Sequence, residues 1–209
     1  FSIWGIIYLL LAVFVAYGLN SSARKADTER TFVERIGVLF LVTCAANTGW
    51  IFAWHYRQLI LSLACMTALL AALIGIYARL NIGRSTATPA EKYLVHMAMS
   101  VYLGWITIAI IANLTAVLVA YRWDWLGVSG QPWAMAMVTV TAGLALIMLL
   151  RRRDIFYALV ADWAVAGILI KRTSDSSASA PGVVAASIAG VLLLTVAVAV
   201  QVARRRVYR

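Results

Sequence analysis

The sequence predicts an all-α fold, a polytopic membrane helix bundle with seven transmembrane helices. Three observations carry that expectation. Seven apolar runs, each bounded by charge, fill the chain at 1–19, 36–54, 58–78, 93–121, 133–150, 155–170 and 181–203. About 20 apolar residues of helix cross a bilayer core, and a backbone in lipid must satisfy its own hydrogen bonds as a helix or a closed barrel. The runs are long and continuous rather than alternating, which excludes barrel strands. The basic residues are also sorted by side. Fourteen fall after odd-numbered runs and four (Arg57, Arg122, Lys171 and Arg172) after even-numbered ones, and together these are all 18 Lys and Arg of the chain. Basic loops stay cytoplasmic, so the C-terminus is expected inside and the first residue outside. The net charge of +10 is then read as orientation and attraction to anionic headgroups, not as nucleic-acid binding.

The first run opens on Phe1 inside an apolar stretch, so a natural start upstream is expected. It carries Trp4 and Tyr8, one turn apart on one face. The polar segment 20–32 reads as a cytoplasmic loop or short surface helix. The second run holds Asn47 and Trp50, again on one face, and ends at Trp54 and Tyr56 where a membrane interface should fall. His55–Arg57 joins it almost directly to the third run, which implies antiparallel neighbours. Residues 81–90 carry turn chemistry, with Thr88 as an N-cap ahead of Pro89 and Glu91. The fourth run sets Tyr102, Trp105, Ala109 and Asn113 at separations of three, four and four, a single stripe. Tyr121, Trp123, Trp125 and Trp133 mark further interfaces. The fifth run ends at the triple arginine 151–153 and turns tightly into the sixth, the shortest, which contains Asp162. After a Ser/Ala-rich joint at 173–180, the seventh run presents Gly182, Ala186 and Gly190, spaced by four as close helix packing requires. A change from aromatic, Asn-bearing helices to Ala, Val, Leu and Met divides the chain into a core at 1–125 and accessory helices at 126–209.

Few residues are equipped for chemistry. No nucleophile–base pair, metal-type Cys/His spacing or nucleotide loop is present in the sequence, and Cys44 and Cys65 both lie in apolar runs as small hydrophobes. Asn47 and Asn113 each need a partner in lipid, either another helix or a ligand. The aromatic stripes read either as packing or as walls for a flat apolar molecule. His55 and His96 are interfacial or hydrogen-bonded residues, or axial ligands to a tetrapyrrole metal. Asp162, an ionisable group inside a membrane run, either pairs with another helix or relays protons.

Three segments resemble the TspO/MBR family, the tryptophan-rich sensory proteins related to the mitochondrial translocator protein. Phe1-Ser-Ile-Trp4-Gly-Ile-Ile-Tyr8 is similar to the start of that family's second helix, Asn47-Thr-Gly-Trp50 with Arg57-Gln58 to its third, and Tyr102-Leu-Gly-Trp105-Ile-Thr-Ile-Ala109-Ile-Ile-Ala-Asn113 to its fifth. The family's first helix and its Trp-x-Pro-Pro stretch would precede Phe1. Ser100 and Val101 stand where a proline is usual, and no acid appears around 64–67. The resemblance covers residues 1–125, and helices beyond a five-helix core suggest the longer, bacterial-type branch.

That resemblance implies a pocket for porphyrins or other flat apolar molecules, lined by Trp4, Tyr8, Asn47, Trp50, Tyr102, Trp105, Ala109 and Asn113. It does not extend to transport or enzymatic turnover, and no catalytic residue or metal site is assigned from it. The expected function is a membrane sensor or binding protein whose cofactor-like ligand is a tetrapyrrole, porphyrin or chlorophyll-like. The alternative is an accessory subunit of a larger, pigment-containing complex or homo-oligomer. Membrane lipids and an apolar small molecule are the expected partners.

Overall fold

The computed structural model describes residues 2–23, 32–122, 130–174 and 180–207. Most of the segment expected as a loop or surface helix at 20–32 lies outside the described residues, as do Trp123, Trp125 and positions 175–179. The described residues are helical and contain no strand. In chain order the elements are α1 (Ser2–Ala23), α2 (Phe32–Ile36), α3 (Leu39–His55), α4 (Leu59–Arg79), α5 (Pro89–Glu91), a π turn (Lys92–His96), α6 (Met97–Ala120), α7 (Gly130–Arg152), α8 (Ile155–Ser174) and α9 (Pro181–Val207). The chain divides into two compact units, Phe1–Val117 and Leu118–Arg209.

Among the described residues five helices are long and apolar enough to cross a membrane: Ile3–Asn20, Leu59–Arg79, Pro89–Ala120, Gly130–Arg152 and Pro181–Arg204. Length and composition therefore support five of the seven expected crossings. The other two candidates fall short for different reasons. α3 has 17 residues, a rise of about 26 Å against a hydrocarbon core of about 30 Å. α8 has 20 residues, but Asp162, Lys171 and Arg172 interrupt its apolar length. Large apolar side chains such as Leu9, Leu19, Val119 and Leu150 are exposed on these helices, a surface suited to lipid.

The first unit is organised around the α3–α4 hairpin. α3 stops because Arg57 enters the left-handed region at φ 56°. The Gln58 N–H then reaches back to the Ala53 carbonyl at 2.8 Å, the bond that closes a helix C-terminus. Two glycines let the pair approach closely. A Cβ on Gly75 would lie 2.9 Å from Leu39 Cδ1, and one on Gly49 would lie 3.2 Å from Cys65 Sγ. Met66, Leu69, Leu73, Ile76 and Leu80 of α4 are buried at helical spacing and form the central ridge. α2 is tied to the end of α4 by Arg35, which donates to the Arg79 carbonyl at 2.8 Å, and by Arg79, which donates to the Ile36 carbonyl at 3.3 Å. Thr88 caps α5 as its sequence predicts, accepting the Glu91 N–H at 3.2 Å with Pro89 at the first helical position. The π turn follows, where the Met97 N–H bonds to the Lys92 carbonyl five residues back.

The second unit is a bundle of α7, α8 and α9, each packed on the other two. Val138, Ala142, Ala145 and Leu149 of α7, Ala158, Ala161 and Val165 of α8, and Val183, Ser187, Gly190 and Leu194 of α9 are its buried seams. All three repeat at alternating three- and four-residue steps, the period that keeps one face inward. Buried Asp154 starts α8 by accepting the Tyr157 N–H at 3.1 Å.

Candidate ligand-binding cleft

Trp4 of α1 organises one end of the site. It stacks on Trp50 of α3 with ring centroids 5.3 Å apart and planes at 22°, meets Trp105 of α6 edge-on at 6.3 Å, and stacks with Tyr8 at 5.7 Å. Trp54 extends the stack from Trp50 at 6.4 Å. Three helices are thereby joined through one ring. Each such pair adds about 0.5–1.5 kcal/mol beyond area burial.

One turn further along α1, Tyr8 takes part in both the cluster and a polar contact. Asn47 Nδ2 donates to the Tyr8 hydroxyl at 3.3 Å. The carboxamide oxygen of Asn47 is buried and has no partner among the described residues. Beyond this pair a cleft of about 570 Å³ opens between α1 and α3, with Tyr102 of α6 on its wall. Leu11, Ala12, Val15, Ala16 and Leu19 line it from α1, and Phe40, Thr43, Cys44 and Thr48 from α3. Thr43 turns its hydroxyl onto the Phe40 carbonyl at 2.6 Å. The wall is thus largely apolar, with polar tips from Tyr8, Asn47 and Tyr102.

The eight residues singled out in the sequence therefore separate into three groups. Tyr8, Asn47 and Tyr102 line the cleft. Trp50 and Trp105 each pack on Trp4 beside it, and none of the three is among the residues that line it. The indole N–H groups of Trp50 and Trp105 are buried with no partner among the described residues. Asn113 is drawn elsewhere: its Nδ2 donates to Ser62 Oγ of α4 at 2.6 Å, and both side chains are buried. Ala109 is half-buried and off the cleft wall. Ser62, a polar side chain in an apolar run, was the sequence signal for Asn113's partner. The small residues at 12, 16, 44 and 48 were the signal for the opening.

The remaining candidates lie away from the cleft. His55 is exposed and edge-on to Tyr56 at 5.1 Å. His96 is buried, 3.8 Å from the Glu91 carboxylate. Among the described residues no group of three His, Cys, Asp or Glu side chains is placed to hold a metal ion. Both cysteines are free thiols. In the second unit Thr195 of α9 donates to Asp162 Oδ2 at 2.9 Å, while Oδ1 is buried with no partner among the described residues. The small-residue face of α9 is used within that unit. A Cβ on Gly182 would meet Met135 of α7 at 2.6 Å, and one on Gly190 would meet Val165 of α8 at 3.3 Å. Ala186, between them, is half-buried.

Residues 1–200 match the family described as TSPO-like protein. The chain belongs to that family. The match extends across both units, well past the 1–125 that the motifs reach, so α7, α8 and most of α9 are part of the TSPO-like sequence rather than an unrelated addition. With five helices suited to crossing a bilayer, this TSPO-like chain is an integral membrane protein. Comparison with curated proteins and with solved structures returns no match.

Proposed function

We propose that this TSPO-like protein is a membrane sensor or binding protein for a tetrapyrrole or similarly flat apolar ligand, held in the cleft between α1, α3 and Tyr102. The observation that carries the reading is the convergence of Tyr8, Asn47 and Tyr102 on an apolar opening of about 570 Å³. That volume falls within the usual range of small-molecule sites, about 300–1,000 Å³ with few polar groups. The neighbouring Trp cluster fixes the helices that frame the opening and supplies a reporter. We also propose seven crossings with the C-terminus cytoplasmic. α3 is held along α4, and α8 is packed on α7 and α9, so each of the two helices that fall short accompanies helices able to span. Lys171 and Arg172 at the end of α8 can extend their charges to the interface.

The test is a titration of the full chain in lipid nanodiscs, followed by Trp emission. A flat apolar ligand should quench it saturably. Ala12→Trp and Ala16→Trp place a large ring where both wild-type methyl groups line the cleft, and each should abolish saturable quenching while leaving the thermal transition in place. Unchanged binding in both variants would move the ligand elsewhere. The accessory-subunit alternative loses one of its supports, because Gly182 and Gly190 are already engaged by α7 and α8.

A further inference from the structure

We propose that the end of the second unit where α7 turns into α8 and α9 finishes binds the headgroup of a lipid that carries two phosphate groups. The register of the three helices brings the parts of this site together. Gly190 of α9 faces Val138 and Ala142 of α7 and Val165 of α8, and Thr195 meets Asp162 of α8 at 2.9 Å. Higher positions on α9 thus meet lower positions on α8, and those two helices are antiparallel. Gly182 faces Gln131 and Met135 of α7, so α7 and α9 run the same way. At a rise of 1.5 Å per residue, Arg204 lies about 14 Å beyond Thr195, and the start of α8 lies about 11 Å beyond Asp162 in the same direction. From the Gly190 contact, Arg204 lies about 21 Å along α9, and Arg152 lies about 15–21 Å beyond Ala142 and Val138 along α7. The end of α7, the start of α8 and Arg204 therefore share one level to within about one helical turn.

That level is strongly basic. Arg151, Arg153 and Arg204 are exposed and Arg152 is half-buried. The next two positions of α9, 205 and 206, are also Arg. A single acid, Asp154, lies within the stretches 148–160 and 196–207, and it is buried with one oxygen on the Tyr157 N–H. The joint between α7 and α8 consists of Arg153, left-handed at φ 55°, and Asp154, so a short turn fixes where its arginines emerge. Like charges gathered at one level repel, and an anion set among them relieves the repulsion. All six bases are Arg, whose planar fork matches two phosphate oxygens at once. The apolar spans Gly130–Arg152 and Pro181–Arg204 end on these same residues. The guanidinium groups therefore emerge at headgroup depth, where basic clusters beside membrane helices meet lipid phosphates. Two arms of arginine, one from the α7–α8 turn and one from α9, suit two phosphates joined in one headgroup better than a single one.

The probes are tetraoleoyl cardiolipin, which carries two phosphates, and dioleoyl phosphatidylglycerol, which carries one, the latter supplied at twice the concentration so that total charge is equal. Each is titrated into the full chain in a neutral detergent, and native mass spectrometry counts the lipid retained. One cardiolipin per chain should be retained saturably, about tenfold more tightly than phosphatidylglycerol. The double variant Arg151→Gln/Arg153→Gln and the triple variant Arg204→Gln/Arg205→Gln/Arg206→Gln should each weaken cardiolipin retention about tenfold. Lys171→Gln/Arg172→Gln removes two charges from the opposite end of α8 and should leave retention unchanged. Equal retention of the two lipids, or an equal loss in the Lys171/Arg172 variant, would overturn the site and leave only diffuse attraction to anionic surfaces. Tighter binding of inorganic pyrophosphate than of cardiolipin would overturn the choice of a lipid. The wild-type comparison of the two lipids decides the matter even if a variant fails to fold, and its outcome does not depend on the cleft in the first unit.

Discussion

The Asn113–Ser62 contact decides whether the amide on α6 serves packing or the ligand. Its two side chains are buried, 2.6 Å apart, and join α6 to α4. Removing the two ends should not have equal effects. Ser62→Ala takes away the partner that Asn113 has among the described residues and leaves a buried carboxamide with both ends unmet, since its oxygen already lacks one there. An unmade buried polar group costs about 1–3 kcal/mol. Asn113→Leu leaves only the Ser62 hydroxyl, which can turn onto a carbonyl of its own helix one turn back, so a loss of about 0.5 kcal/mol is expected, near the average for interhelical bonds in membranes. The double substitution should restore most of the loss caused by Ser62→Ala, giving a coupling of about 1–3 kcal/mol. The assay is reversible unfolding in mixed micelles, with all four proteins measured together and affinity for a flat apolar ligand, read by Trp quenching, measured beside it. Affinity should be unchanged in Asn113→Leu. A coupling near zero together with a tenfold loss of affinity in that variant would refute the reasoning and return Asn113 to the ligand.

Other substitutions test the frame that holds the cleft. Gly75→Val should destabilise the first unit by about 1–3 kcal/mol, read as a lower unfolding midpoint, because even a Cβ would press on Leu39 of α3. Gly75→Ala should cost less, since the Leu39 side chain can turn aside. Thr88→Ala should cost about 1 kcal/mol through loss of the α5 cap, without changing ligand affinity. Asp162→Leu should be neutral or stabilising in the same unfolding assay. The Thr195 hydroxyl can bond within its own helix, and an apolar side chain replaces an acid whose second oxygen has no described partner. A marked destabilisation would show that Asp162 makes a contact beyond Thr195. For the seven-crossing topology, Arg153→Cys should be labelled by an impermeant maleimide from the cytoplasmic side and Lys171→Cys from the other; labelling of both from one side would remove α8 from the membrane.

The crossings were legible to the extent that length and charge determine them. Leu59–Arg79 and Pro181–Arg204 are apolar throughout most of their length, and nothing in a neighbour can change that. α3 and α8 show where composition stops being decisive, since 17 residues or an acid within an apolar run are tolerated in a crossing or not according to what packs beside them. For Tyr8 and Asn47 the face was legible from helical period. Asn47 and Tyr8 meet across α1 and α3 as their spacing allows.

What period does not specify is the partner within a face. Trp4, Trp50 and Trp105 lie on inward stripes, and stripes alone are equally consistent with rings that surround a ligand and rings that stack on each other. The choice depends on helix tilt and rotamer, and the 5.3 Å stack of Trp4 on Trp50 makes it for mutual packing. Large rings fill space, so a cluster of them closes a bundle. An opening needs the reverse, small side chains facing each other across two helices. Ala12 and Ala16 on α1 and Cys44 and Thr48 on α3 supply them at matching one-turn intervals. The cleft accordingly begins where the tryptophans end, and its polar edge is set by Tyr8 and Asn47, which the packed rings hold in place.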